Sequence, residues 1–377
     1  LSIGDFVLIK GDFAFSAGPG SSQTFAGSDL FVFMGQGPIL LPDGVTINNS
    51  ARGVLLTNAS IGLIKFADGT FALKAQGDIS ILGGEVVSLS GAAEVRFNNS
   101  GTAVTETLTV GSGSKAGDLI NFDFTTTADV AQFKGTGLQL NVSDLMLSGN
   151  FEFSKISTGT NTGEISILAS NVTFSIGAEV VVTNGSGAML LTNKGVAADF
   201  SAMVQLLPLN PDVSLTGTFR VQINDHAQAI KDPALGLDLP AGPYLRIDGT
   251  NVGLNLAGQR LNGDFVIEQV TTTAGTETRI GVANGSLSFG DGSTDLVSIN
   301  SVIGNLVVTT DGVAGQLSGS VSTAPGLGAS FAGNFMLAVN TTGAAVQRTM
   351  TVGSQTVNID VPMGPYVRVE GVGVSIN

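Results

Sequence analysis

The sequence has no cysteine and no tryptophan, one histidine, two tyrosines and only 12% charged residues, about half the usual charged share. Each shortage excludes something. Without cysteine there is no disulfide and no thiolate metal site, so packing and hydrogen bonds must hold the fold. The one histidine, His226, sits in an unrepeated stretch, Asn224-Asp225-His226. It has no second nitrogen ligand for zinc and no triad to serve, and it is expected to be a solvated loop residue. Two tyrosines without tryptophan are a thin supply for a sugar-binding platform. Basic residues are scarce as well: 16 Lys and Arg against 30 Asp and Glu give a formal net charge of −14. That excludes a phosphate-tracking stripe, and with it nucleic acid, and it speaks against docking on anionic lipid. No Gly-Lys-Ser/Thr follows the glycine runs, so there is no Walker loop. No run of 18 apolar residues is available for a membrane-spanning helix, and the aromatic girdles of an outer-membrane barrel are missing. The start, Leu1-Ser2-Ile3-Gly4-Asp5-Phe6, has neither the basic nor the long apolar stretch of a signal peptide.

What the chain does have is 52 glycines, 43% hydrophobic residues and a mean hydropathy of +0.36. The hydrophobic residues alternate. In Val213-Ser214-Leu215-Thr216-Gly217-Thr218-Phe219-Arg220-Val221-Gln222-Ile223 the odd positions are apolar or glycine and the even ones polar. Leu261, Gly263, Phe265 and Ile267 share one face, as do Leu337 and Val339. This is period 2, the pattern of a strand. Leu215, Phe219, Leu261, Phe265, Ile267, Leu337 and Val339 are therefore the expected core. Asp68-Gly69, Asn184-Gly185, Asn284-Gly285, Asp291-Gly292 and Asp311-Gly312 read as hairpin turns. The best helix candidate, Asp225–Lys231, is one or two turns long and stops at Asp232-Pro233. The expectation is an all-β, elongated antiparallel repeat array, with sandwich- or solenoid-like units that share continuous sheet and almost no helix.

Three marks recur in the same order. Gly242-Pro243-Tyr244-Leu245-Arg246-Ile247-Asp248-Gly249 returns as Gly364-Pro365-Tyr366-Val367-Arg368-Val369-Glu370-Gly371, with a weaker copy around Val130–Gly135. A Gly-Asp/Asn-Phe element stands at 4–6, 149–151 and 263–265. Ser214-Leu215-Thr216-Gly217-Thr218-Phe219 with Asn224 returns as Ser330-Phe331-Ala332-Gly333-Asn334-Phe335 with Asn340, and faintly as Ser88-Leu89-Ser90-Gly91 with Asn98. These define three units, 1–144 (diverged), 145–258 and 259–377. In each, the apolar parity flips after a glycine: Leu245 and Ile247 are odd, whereas Val252, Leu254 and Leu256 are even. A one-residue slip would turn the core face to water, so a β-bulge or sheet crossing is expected at Gly135, Gly249 and Gly371.

The end of the chain, Val374-Ser375-Ile376-Asn377, is in register with its beginning, Leu1-Ser2-Ile3. Unpaired edges invite strand addition. The strand carrying Tyr366, Arg368 and Asn377 is expected to lie beside the strand carrying Leu1 and Phe6 of a following copy, head to tail. No catalytic or cofactor-binding residues are expected, since no carboxylate pair recurs between units. Calcium takes oxygen ligands, and Asp291 and Asp295 are the one weak cluster for it. Several Asn-x-Ser/Thr sequons, including those at Asn58, Asn141, Asn171, Asn184, Asn284 and Asn340, are what so much Asn, Ser and Thr produces by chance.

The run Gly364–Gly371, with Leu254-Asn255-Leu256-Ala257-Gly258-Gln259 and Leu261–Gln269, resembles repeats in giant bacterial cell-surface or secreted proteins, the adhesin-like arrays associated with LEPR-XLL modules. The resemblance covers units two and three well and unit one poorly. It implies an extracellular or cell-surface structural segment, non-enzymatic, whose partners are adjacent copies or repeats, with a surface glycan or envelope anchor elsewhere. A lipid-carrying open β-groove is the alternative, followed by a carbohydrate-binding or enzymatic β domain.

Overall fold

The computed structural model describes the chain except residues 1, 4–6, 18–21, 37, 49, 83–86, 112, 143–144, 156–164, 177–179, 193–194, 207–212, 257–258, 273–274, 291–293, 325–329 and 377. Every regular element among the described residues is a β-strand, and the segment 225–231 is a bend leading into a short strand. After a short β1 (Ser2–Ile3), the long strands come in sets of six with a hairpin inserted before the sixth. The first set is β2 (Val7–Ala17), β3 (Gln23–Gln36), β4 (Arg52–Lys65), β5 (Phe71–Leu82), β6 (Val87–Asn98), the hairpin β7 (Thr107–Thr109) and β8 (Leu119–Asn121), then β9 (Val130–Val142). The second is β10 (Leu145–Lys155), β11 (Ile165–Ile176), β12 (Val180–Thr192), β13 (Gly195–Leu206), β14 (Val213–Asn224), the hairpin β15 (Ile230–Asp232) and β16 (Leu237–Leu239), then β17 (Tyr244–Leu256). The third is β18 (Gln259–Thr272), β19 (Gly275–Gly290), β20 (Asp295–Thr309), β21 (Gly312–Thr323), β22 (Phe331–Asn340), the hairpin β23 (Val346–Val352) and β24 (Gln355–Val361), then β25 (Tyr366–Ile376).

By its contacts the chain forms two compact units, Leu1–Phe174 with Leu190–Asn193, and Ser175–Met189 with Lys194–Asn377. In the first, β2, β3, β4, β5, β6, β9 and β10 pair antiparallel in that order. In the second, β13, β14, β17, β18, β19, β20, β21, β22 and β25 do the same. Each sheet is a meander, which short turns permit: Asp68-Gly69 joins β4 to β5, and Asp311-Gly312 joins β20 to β21.

Two Asn-Gly pairs are not turns. Asn184 lies inside β12 and Asn284 inside β19, at φ of 54° and 51°. Asn58, Asn171 and Asn251 have the same left-handed backbone within their strands. Pairing registers slip beside them, between Thr57 and Ser60, Gly249 and Val252, and Val282 and Gly285. A left-handed residue serves a β-bulge as well as it serves a tight turn, so Asn-Gly by itself does not distinguish them. Four of the sequons, at Asn58, Asn171, Asn184 and Asn284, thus sit at left-handed backbone positions inside strands.

The expected core is corrected by the structure. Ile267 and Leu337 are 46% and 45% exposed, and Leu215, Phe219, Leu261, Phe265 and Val339 are only half-buried. The covered positions alternate with these. In the second unit Val266 and Ala283 pack with Met350, Val352 and Val357, while Val307, Ala314 and Ala338 pack with Val346, Ile359 and Val361. In the first unit Ala26, Ile64 and Ala72 pack with Val104, Val110, Ile120, Phe122 and Phe124. The inserted hairpins thus cover one face of each sheet, and small residues there let them approach. Alternation separates two faces but does not say which one is covered.

Candidate functional site

Each inserted hairpin begins at a buried asparagine that ends the preceding strand. Asn98, Asn224 and Asn340 are 1%, 0% and 1% exposed. Asn340 Nδ2 donates to the carbonyls of Ala344 (2.8 Å) and Pro362 (2.7 Å), and its Oδ1 accepts from Thr342 N (2.8 Å). Asn224 repeats this with Gln228 O, Pro240 O and His226 N. Asn98 does so with Thr102 O and Ser100 N. The asparagine closes a turn and, in the second and third sets, also grips the far end of the insert. A repeated Asn at the end of an alternating run is the legible signal for this joint.

His226 is corrected here: it is buried, at 6% exposure. It occupies the position that Ser100 and Thr342 hold in the other two turns. Its carbonyl accepts from Gly242 N at 2.7 Å. Burial follows from its place in the asparagine turn, which residue type alone does not reveal.

Arginines fasten two of the hairpins. Arg348 of β23 donates to Glu277 of β19 from Nε (2.8 Å) and Nη2 (2.9 Å), and Arg279 Nε reaches the same carboxylate at 2.6 Å. Arg246 Nη2 donates to Thr351 O at 2.8 Å. In the first unit Arg96 Nη2 meets Asp123 Oδ1 at 2.8 Å, with Lys74 at 3.5 Å. Burial pushes the Asp123 carboxyl up, but the Arg96 and Lys74 charges outweigh it and hold the group below its ordinary value. Glu277→Ala should cost about 2–3 kcal/mol, below the full cost of breaking a buried pair because Arg348 stays partly solvated. Faster hydrogen exchange confined to the β23–β24 amides would register it, and unchanged exchange there would contradict it.

The Gly-Asp/Asn-Phe element clamps bulges. Asn150 Oδ1 accepts from Gly137 N at 2.9 Å, and Asp264 accepts from Asn251 N and from Asn284 Nδ2, both at 2.8 Å. By strand position the copy in the first set is Gly11-Asp12-Phe13 in β2; Gly4, Asp5 and Phe6 lie outside the described residues. Asp12 accepts instead from Ser114 N (2.7 Å) and Oγ (2.8 Å). Gly135 and Gly249 are the last paired residues before the slips against β10 and β18, and Gly371 stands one residue before the slip against β22. A Cβ on Gly249 would sit 2.8 Å from Val252 Cγ2, and one on Gly371 2.9 Å from Val374 Cγ2. At Gly135 it would collide with Leu138. The side chain after each bulge folds over the glycine.

Of the other expected positions, Asp295 is paired with Arg260 at 2.7 Å through both oxygens, and Asp291 lies outside the described residues. Among the described residues there is no group of three His, Cys, Asp or Glu that could hold a metal ion. Tyr366 faces Asn340 across β22 and β25, and Arg368 binds Glu370 at 2.6 Å. Leu1 and Asn377 are outside the described residues.

The register reveals a feature larger than any of these clusters. In the second unit Phe200, Val221, Ile247, Ile267, Ile280, Leu306, Gly315, Val339 and Val367 oppose one another in turn across all nine strands. Two residues along, the row is Ala202, Phe219, Gly249, Phe265, Val282, Gly304, Leu317, Leu337 and Val369. On the opposite face the same strands align Asp199, Gln222, Arg246, Glu268 and Arg279. The bulges keep this segregation: without the slip after Gly249, Leu254 would change sides. The first unit has the same arrangement, with Phe15, Phe25, Leu63, Leu73 and Phe97 in one row.

No family model matches the chain, and the search of curated proteins gives no match. A solved structure described as the crystal structure of Pseudomonas aeruginosa OpdL aligns over 99% of this chain and 97% of its own at 8% identity, with a TM-score of 0.23, too low to carry any inference.

Proposed function

We propose that the chain is a non-catalytic, repeat-built structural segment of a long cell-surface or secreted protein, continued head to tail by further copies or repeats. The observation that carries this reading is the threefold return of one module: six long strands, with a hairpin anchored at Asn98, Asn224 or Asn340 inserted before the sixth. The polar residues that recur with it are engaged in holding it together. Asp264 and Asn150 hold bulges, and the asparagines close turns. Stability in such arrays is a sum of module and neighbour terms, which suits length better than chemistry. The calcium and sugar-binding alternatives have no comparable repeated constellation in their favour. Electron micrographs of the native particle test the proposal. The expected image has an axial period matching one or three modules; a discrete particle without axial repeat would overturn it. Deleting 364–377 should then shorten or abolish any filament built by noncovalent pairing.

A further inference from the structure

We propose that the apolar face of the second unit is a lipid-contact surface, whose occupant is the hydrocarbon of a bilayer. This goes beyond the structural-segment reading and does not depend on it, because it rests on the two faces of the sheet alone. Three observations point to hydrocarbon.

The first is exposure. Ile267, Ile280, Leu317 and Leu337 are 37–46% exposed, and Val367 and Val369 at β25 reach 71%. The core clusters that the hairpins build lie on the other side of the sheet. Nine strands at ~4.8 Å make a face ~38 Å wide, far beyond the scattered apolar residues of a water-facing surface.

The second is height. Along β22 the face runs from Phe331 to Val339, and along β25 from Val367 to Ile376. Each is ~30 Å of extended strand. A strand crossing a bilayer needs about 9–11 residues when tilted, and an outward apolar band about 25 Å tall is what such sheets present. Polar residues bound the band: Gln269 and Thr278 oppose each other at one end, and Gln259 binds Gly290 at the other.

The third is uniformity. The opposed rows contain only aliphatic residues, phenylalanine, alanine and glycine, while the charges of the same strands stand on the other face. A protein partner needs polar handles, about one hydrogen bond per 100–200 Å², to fix its register. These rows offer no side-chain handle. Hydrocarbon needs none.

The test uses the absence of tryptophan from the sequence. Leu337→Trp and Ile267→Trp place a single reporter on the apolar face. Met203→Trp places one on the opposite face, where Met203 is already a large, 50% exposed side chain. Each full-length variant is mixed with phosphatidylcholine vesicles whose acyl chains are plain or brominated, and circular dichroism checks that the strand signal is kept. Flotation of the unsubstituted chain with plain vesicles is measured in parallel, so a variant that misfolds does not decide the matter. The expected result is flotation, with Trp emission at 337 and 267 falling by about half or more on brominated lipid, as for side chains in a lipid-facing band, and emission at 203 nearly unchanged. Equal quenching at all three sites would mean indiscriminate adsorption and would overturn the proposal. So would a chain that does not float and is quenched nowhere. Emission at 337 that is already blue-shifted in a lipid-free oligomer, and unaffected by brominated lipid, would assign the face to another protein sheet. None of these outcomes bears on the axial repeat seen in micrographs, so the two proposals fail separately.

Discussion

Asn340→Ala is expected to cost about 3–5 kcal/mol, among the larger single-residue effects in the chain. The side chain is 1% exposed and makes four hydrogen bonds, to Ala344 O, Pro362 O, Thr342 N and Thr342 Oγ1. Alanine leaves two carbonyls and an amide without their partner in a place water reaches poorly, and each orphaned buried group costs about 1–3 kcal/mol. Asn340→Asp is no rescue, since it sets a carboxylate oxygen against two carbonyl oxygens. Denaturant titration followed by β23–β24 hydrogen exchange measures the effect, and exchange matters because a repeat array need not unfold in two states. Asn224→Ala should behave alike, because it also holds both the turn and Pro240 O. Asn98→Ala should cost less, since its one donor contact beyond the turn amide is to Thr102. A loss within the ±0.5 kcal/mol of an ordinary surface change at Asn340 would remove the joint from the account of the fold.

Val266→Asp and Ile267→Asp, adjacent in β18, should differ sharply. Val266 is 0% exposed, packed with Ala283, Met350, Val352 and Val357. An unpaired carboxylate there should cost about 4 kcal/mol or more, in the range reserved for buried charge. Ile267 is 46% exposed and opposes Ile247 and Ile280 on the uncovered face. In lipid-free buffer Ile267→Asp should change stability by about 1 kcal/mol or less, the scale of a partly exposed substitution. The same change should weaken vesicle flotation if lipid is the occupant. The reverse order in buffer would put the core on the other face and undo both the hairpin cover and the lipid proposal.

These two predictions turn on what the sequence does and does not carry. Period-2 alternation in Val213–Ile223 and Leu261–Ile267 is local, so strand identity could be read directly, and so could the parity flips after Gly135, Gly249 and Gly371. The recurring asparagines at 98, 224 and 340 could be seen too, though not their bonds, because their partners lie up to 22 residues away. Asn184 and Asn284 were ambiguous in principle: a bulge and a tight turn ask the same left-handed backbone of them, and only the partner strand distinguishes the two. His226 looked like a loop residue because nothing in its neighbours announces that the asparagine turn folds under an insert.

By itself, then, the sequence determined that this protein is all strand, that it repeats, and that each strand has one apolar and one polar side. Those properties depend on neighbours two residues apart. The tertiary structure decided which side is core. That choice belongs to hairpins such as β23–β24, whose valines and Met350 settle on Val266, Ala283 and Ala338 and leave the larger Ile267, Ile280 and Leu337 uncovered. Alternation is symmetric between two faces, and only a long-range contact can break that symmetry.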